Sequence, residues 1–164
     1  MDGAIIARAL HELGVVLWIG GVAFVTAVLL PAVKRMREPA ERVAFFEKLE
    51  SGFARQARVT TLLTGLSGFY LVHRLGAWGR FADAHYWWMH AMVLLWGVFT
   101  LMLFVLEPLW LHRWFRARAQ RDPEGTFAFI TRMHWALLIL SLITVGAAVA
   151  GSHGWTFEQT ATRP

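Results

Sequence analysis

Seven histidines in a chain of 164 residues without a cysteine set the metal chemistry open to this protein. With no thiol, a disulfide framework, an iron–sulfur cluster, a thiolate metal site and a cysteine nucleophile are excluded, and imidazole becomes the ligand to follow. His11, Gly14, Trp18 and Gly21 stand at i, i+3, i+7 and i+10, one face of a helix. His90 and Gly97 are seven apart, Gly146 and His153 are seven apart, and Gly65, Phe69 and His73 follow at i, i+4 and i+8. A stripe of this kind has two readings. Small residues in membrane helices serve close packing; alternatively the glycines clear a slot for a large flat group held by axial imidazoles. Haem b suits such a slot, because it takes histidines from two helices, needs no cysteine and accepts aromatic walls. His11, His90, His73 and His153 are the candidate metal ligands, with His11 and either His90 or His73 as the axial pair. A second haem would be completed by His153. Arg8, one turn before His11, and Arg74, beside His73, are placed to pair with propionates.

Copper is the competing metal. Met89-His90-Ala91-Met92 brings two thioethers beside an imidazole, and thioethers suit Cu(I). Positions i−1 and i+2 of His90 point to different helix faces, however, so convergence requires distortion.

The elements that must carry these residues are read from composition and charge. The chain is 57% hydrophobic and 16% charged, with nine Trp, twelve Phe and a mean hydropathy of +0.47. That is too apolar for an ordinary soluble domain. Charge-free runs cover 13–33, 59–73, 84–106 and 133–157. About 20 residues of helix cross the hydrocarbon core, and ~17 is the lower limit. The expected fold is therefore all-α, a single transmembrane domain over 1–164, with spans at about 4–33, 56–77, 84–111 and 128–154. The first run is too long, and led by Asp2, for a signal peptide, so it reads as a retained helix.

Twelve of the sixteen basic residues fall in the first and third loop regions (Lys34, Arg35, Arg37, Arg42, Lys48, Arg55, Arg58; Arg113, Arg116, Arg118, Arg121, Arg132), against Arg8, Arg74, Arg80 and Arg163 elsewhere. The positive-inside rule then gives an up-down-up-down four-helix bundle in a bacterial-type inner membrane, both termini outside. The net charge of +5 is topology rather than a nucleic-acid footprint. On this orientation His11 lies roughly 10 Å and His90 roughly 9 Å below the outer surface. Five histidines gather in the outer leaflet (His85 included), while His112 and His134 lie toward the cytoplasm. Ionisable groups at such depth each merit a functional hypothesis.

Val43, Phe46, Leu49/Glu50, Phe53 and Ala57 recur at helical spacing behind Pro39, an amphipathic cytoplasmic helix running into the second span with a weak point at Ser51-Gly52. Glu107, before Pro108, is expected to pair with an arginine near Arg113 and Arg116. Trp87, Trp88, Trp110, Trp114 and Trp155 read as interfacial belts.

Leu10-His11-Glu12-Leu13-Gly14-Val15-Val16-Leu17-Trp18-Ile19-Gly20-Gly21, with Leu30-Pro31 ending the helix, resembles the opening helix of the copper-resistance protein D (CopD) family. It is also similar to the first helix of HemJ-type protoporphyrinogen oxidases, and the stretch from Phe46 to Gly68 resembles the second segment of the same families. The resemblance implies a four-helix haem- or copper-associated membrane protein with His11 as the matching ligand position. Two features depart from the HemJ pattern: His90 stands where those proteins have a lysine in the third helix, and Arg132-Met133-His134-Trp135 stands in place of their Asn-Glu pair. The expected function is a bis-histidine b-type haem protein in electron transfer or redox chemistry, exchanging electrons with a quinone or a periplasmic redox protein. A copper transport or resistance protein, a HemJ-like oxidase and a non-catalytic assembly subunit stay open as alternatives, as do enzymatic turnover and a homo-oligomer.

Overall fold

A computed structural model describes residues 3–35 and 38–154. Helix α1 covers Gly3–Lys34, α2 Pro39–Arg74, α3 Ala84–Leu111, α4 His112–Arg121 and α5 Pro123–Ser152. A short 3₁₀ segment, Ala77–Ala82, links α2 to α3, and no strand occurs among the described residues. Arg37, Trp155 and Arg163, used above for belts and charge asymmetry, lie outside the described residues.

Three helices, α1, α3 and α5, are long and apolar enough to cross a membrane. They carry the expected spans at 4–33, 84–111 and 128–154. α5 begins earlier, at Pro123, because Asp122 caps it: its Oδ1 accepts the Gly125 N–H at 2.8 Å, and proline suits the first turn. The expected span at 56–77 belongs to α2, which is not among the three. The first half of α2 is charged, and its second half buries Thr60, Thr61, Thr64 and Ser67. The expected weak point at Ser51-Gly52 does not interrupt it; the helix is continuous for 36 residues, as a helix running into the second segment requires. A glycine costs a helix about 1 kcal/mol, and burial of Phe46, Ala54 and Ala57 on either side outweighs it.

α1 continues past Pro31 to Lys34 instead of ending there. A wide π-type turn over Val25–Leu29 precedes the proline, and a longer one, Met102–Leu111, contains Pro108. The proline ring cannot share the ordinary helical turn behind it, and widening that turn accommodates the ring.

Two cores follow. At the end carrying most of the arginines, Val25, Leu30 and Val33 pack with Val43 and Phe46, Phe115, and Phe127 and Ile130. Further along, Trp18, Ile19 and Val22 meet Phe99 and Leu138. α1 lies against α2 more extensively than any other pair. Gly14 faces Thr64 and Gly21 faces Phe53, so these two helices run antiparallel.

A methyl group at Gly14 would stand 2.5 Å from the Thr64 hydroxyl and 3.3 Å from its backbone nitrogen. Gly14→Ala must therefore push α1 from α2, and overpacking of this kind costs about 1–3 kcal/mol. Gly20, with nothing within 4 Å, is the control. Thermal unfolding in detergent should show a lowered midpoint for Gly14→Ala and an unchanged or raised one for Gly20→Ala. Equal midpoints would contradict the close approach.

Candidate functional site

The four candidate ligands reach the same end of the protein on four different helix positions. His11 sits near the start of α1, His73 in the last turn of α2, His90 near the start of α3, and His153 just past α5. The edge contact of Trp18 with Phe99, 4.9 Å between ring centroids, sets α1 against α3. At 1.5 Å per residue, His11 then lies about 10 Å from that contact and His90 about 13 Å, toward the same end. Nothing brings their rings together directly. Each of three is held by a backbone carbonyl: His11 Nδ1 by Thr64 at 2.9 Å, His90 Nε2 by Phe81 at 3.0 Å, and His153 Nδ1 by Val149 at 2.8 Å. His73 and His153 are exposed, as are Arg8 and Arg74. Among the described residues no three of His, Asp or Glu form a metal-holding group.

His11 is the one candidate built into the protein. Its ring is half-buried over Gly68, where a Cβ would come within 3.0 Å of Cε1. A carbonyl can only accept, so Nδ1 carries the hydrogen and Nε2 keeps its lone pair. That is the arrangement by which an outer partner orients a metal-ligating imidazole. Trp18, 3% exposed, has an indole N–H without an acceptor among the described residues. His11 thus keeps Nε2 as its basic nitrogen, and Trp18 holds a buried donor without an acceptor among the described residues.

The glycine slot does not fit in the same way. Gly14 is met by Thr64, Gly21 by Phe53, Gly65 by Trp96 and Gly151 by Trp88, so the protein fills these spaces itself. Of the glycines that continue the histidine stripes, Gly97 and Gly146 have nothing within 4 Å. Trp88 is therefore buried, not part of an interfacial belt; Trp110 is exposed and stacks on Trp114 at 5.7 Å. Met89 is buried while the neighbouring His90 is exposed, so the Met-His-Ala-Met run is split between two faces. His85 lies in the connection between α2 and α3, where Asp83 Oδ1 accepts its backbone N–H at 2.9 Å and meets its ring at 2.8 Å. These bonds hold the Asp83 carboxyl below the usual carboxylate range.

At the opposite end stands a polar cluster, in which the sequence indicated an arginine partner for Glu107 but not the contacts of Glu47 and Glu50. Arg58 of α2 donates its Nε–H to the Leu103 carbonyl at 3.0 Å and reaches Glu107 Oε1 at 3.1 Å. Pro108 has no N–H to give the carbonyl five residues back, which is Leu103, and Arg58 supplies a donor there. Glu107 thus has its arginine partner in Arg58 of α2. Arg116 of α4 holds Glu47 Oε2 at 2.9 Å, while Glu47 Oε1 is buried without a donor among the described residues. Glu50 Oε1 lies 3.8 Å from Nε2 of the buried His134. Burial pushes the Glu50 carboxyl up to about 8, with repulsion from Glu107 and then Glu47 adding to it. The clue was in the periodicity: along Val43, Phe46, Glu50, Phe53 and Ala57, Glu50 is the one ionisable residue on the inward stripe.

Compared with protein-family models, curated proteins and solved structures, the chain finds no match. Its long apolar helices and its ionisable groups enclosed between them define a helical membrane protein.

Arg58→Met would take the donor from the Leu103 carbonyl and the guanidinium from beside the Glu107 carboxylate. Removing one partner of a partly buried ion pair should lower stability by about 2–3 kcal/mol. Adding Glu107→Gln to that variant should recover part of the loss, a coupling measured by a double-mutant cycle on detergent unfolding midpoints. Strict additivity of the two substitutions would count against the pairing.

Proposed function

We propose that this chain is an integral membrane b-type haem protein working in electron transfer, with His11 as an axial ligand through Nε2. The observation carrying the reading is the Nδ1–H of His11 fixed on the Thr64 carbonyl, which leaves Nε2 as the basic nitrogen. His90, within about 3 Å of the same level, is the partner ligand favoured by depth. To ligate through its own Nε2 it would exchange the bond to the Phe81 carbonyl for the metal. Arg8 and Arg74, exposed at the same end, would pair with the propionates. The bundle would cross a bacterial-type inner membrane four times, up-down-up-down, with α2 completing it as the fourth span. The bias of arginines and lysines toward one end supports both termini lying outside.

Bound haem would supply reversible one-electron chemistry at iron. The chain's own part is to orient. Thr64, with Ser67 Oγ at 3.4 Å, holds the His11 ring in one tautomer, and Gly68 gives that ring its seat. Trp18 offers an N–H inside the protein. A quinone in the bilayer and a periplasmic redox protein are the proposed electron partners.

Protein purified from haem-replete cells should show a Soret band with split visible bands on reduction. His11→Ala should abolish it, whereas His85→Ala, in the outer connection, should leave it intact. Colourless wild-type protein that binds copper instead would replace this reading with the copper one.

A further inference from the structure

We infer that Glu50 and His134 form a proton-binding site at the arginine-rich end of the protein, with the Glu50 carboxyl taking the proton and the His134 Nε2 lone pair receiving its hydrogen bond. The pair bridges α2 and α5. His134 donates its Nδ1–H to the Ile130 carbonyl at 2.9 Å, which fixes the hydrogen on Nδ1 and leaves Nε2 turned to Glu50. The edge of the Phe46 ring, 5.6 Å from the imidazole between centroids, closes one side. A single proton then belongs to the pair: H⁺ adds to the Glu50 carboxylate, the neutral acid donates to Nε2, and a turn of the carboxyl closes the 3.8 Å gap. No oxidant, reductant or metal takes part.

The surrounding charges favour a neutral, protonated Glu50. Along α2, Glu47 lies one turn before it, and from α3 Glu107 faces it; both are repulsive. The cations nearby are committed elsewhere, Arg58 to Glu107 and the Leu103 carbonyl, and Arg116 of α4 to Glu47. On α5, Arg132 is exposed and bonds its own helix at Ala128. α1 carries no ionisable residue between Leu13 and Val33, and Lys34 is exposed.

An entrance is also present. A surface groove lined by Glu47, Lys48, Ser51 and Arg116 reaches the Glu47 side chain. Its Oε1 is enclosed without a donor among the described residues, one helical turn from Glu50. A proton arriving in the groove meets Glu47 first and Glu50 next.

Infrared titration of the purified full-length protein reads this directly, with or without a bound cofactor. At neutral pH it should show the carbonyl stretch of a protonated carboxyl, shifted by deuterium and lost with a midpoint near 8. Glu50→Gln should remove the band. Glu47→Gln, which deletes a repulsive neighbour, should move the midpoint down. His134→Gln should raise the band's frequency by weakening its hydrogen bond. No protonated carboxyl at neutral pH, or a band that survives Glu50→Gln, overturns the site. If Glu50→Gln fails to fold, the Glu47→Gln titration decides, and an unmoved midpoint there overturns it.

Stability gives an independent reading. The folded protein holds this proton more tightly than the unfolded chain, whose carboxyl titrates near 4.5. Its contribution is therefore complete below that value and is lost as pH rises through about 8. The wild-type unfolding midpoint should fall across this range, and Glu50→Gln should flatten the fall. Parallel pH profiles for the two proteins count against the proposal.

Discussion

A backbone carbonyl with no amide to meet it is costly away from water, and Pro108 threatens such a cost at Leu103. Arg58 meets it from the neighbouring helix, and Glu107, one residue before the proline, neutralises the guanidinium that does so. Much else is tied to this fork. It fixes the depth of α2 beside α3, and so places Trp96 over Gly65, where the indole N–H finds the Thr61 carbonyl at 2.9 Å. The charged first half of α2 lies against α4 and α5 through Val43 and Phe46, which pack on Phe115, Phe127 and Ile130, and Glu47 and Glu50 are enclosed beside them.

Much of this was legible in the sequence where the signal was local. The three apolar helices follow from charge-free runs, and the start of α5 is written in Asp122-Pro123. The continuity of α2 was not. Ser51-Gly52 reads as a weak point because local propensity is all the sequence offers there, while the burial that overrides it comes from α1, α4 and α5. The glycine partners were hidden for the same reason. That Phe53 fills the space at Gly21, or Trp88 the space at Gly151, depends on the register between helices far apart in the chain. Spacing on one helix shows that a face is small, but not what lies against it. Glu50 was visible as an anomaly in an apolar stripe, yet its partner His134 lies 84 residues on and could not be read from it.

The histidines divide by what holds them. At the end carrying the N-terminus, main-chain carbonyls hold His11, His90 and His153, each fixing one ring hydrogen. His11 and His153 spend Nδ1 and keep Nε2; His90 spends Nε2. At the arginine-rich end His134 keeps Nε2 and faces a carboxyl. A bond to a carbonyl, from the neighbouring helix at His11 and from its own helix at His134, leaves Nε2 as the basic nitrogen in both.

The wide turn in α1 has one more effect. Counting in sevens from His11 gives Trp18 and then Val25, both buried, but the next step, Ala32, is exposed, while Leu30 and Val33 are buried. The turn adds a residue and lets the inward stripe slip by one position in sequence. α1 therefore behaves as two helices of different phase joined end to end, one aligned to the histidine end and one to the arginine-rich core. Each half of α1 thus presents its own buried stripe, one to Phe99 and Leu138 and the other to Phe46, Phe115 and Ile130, on a single continuous rod.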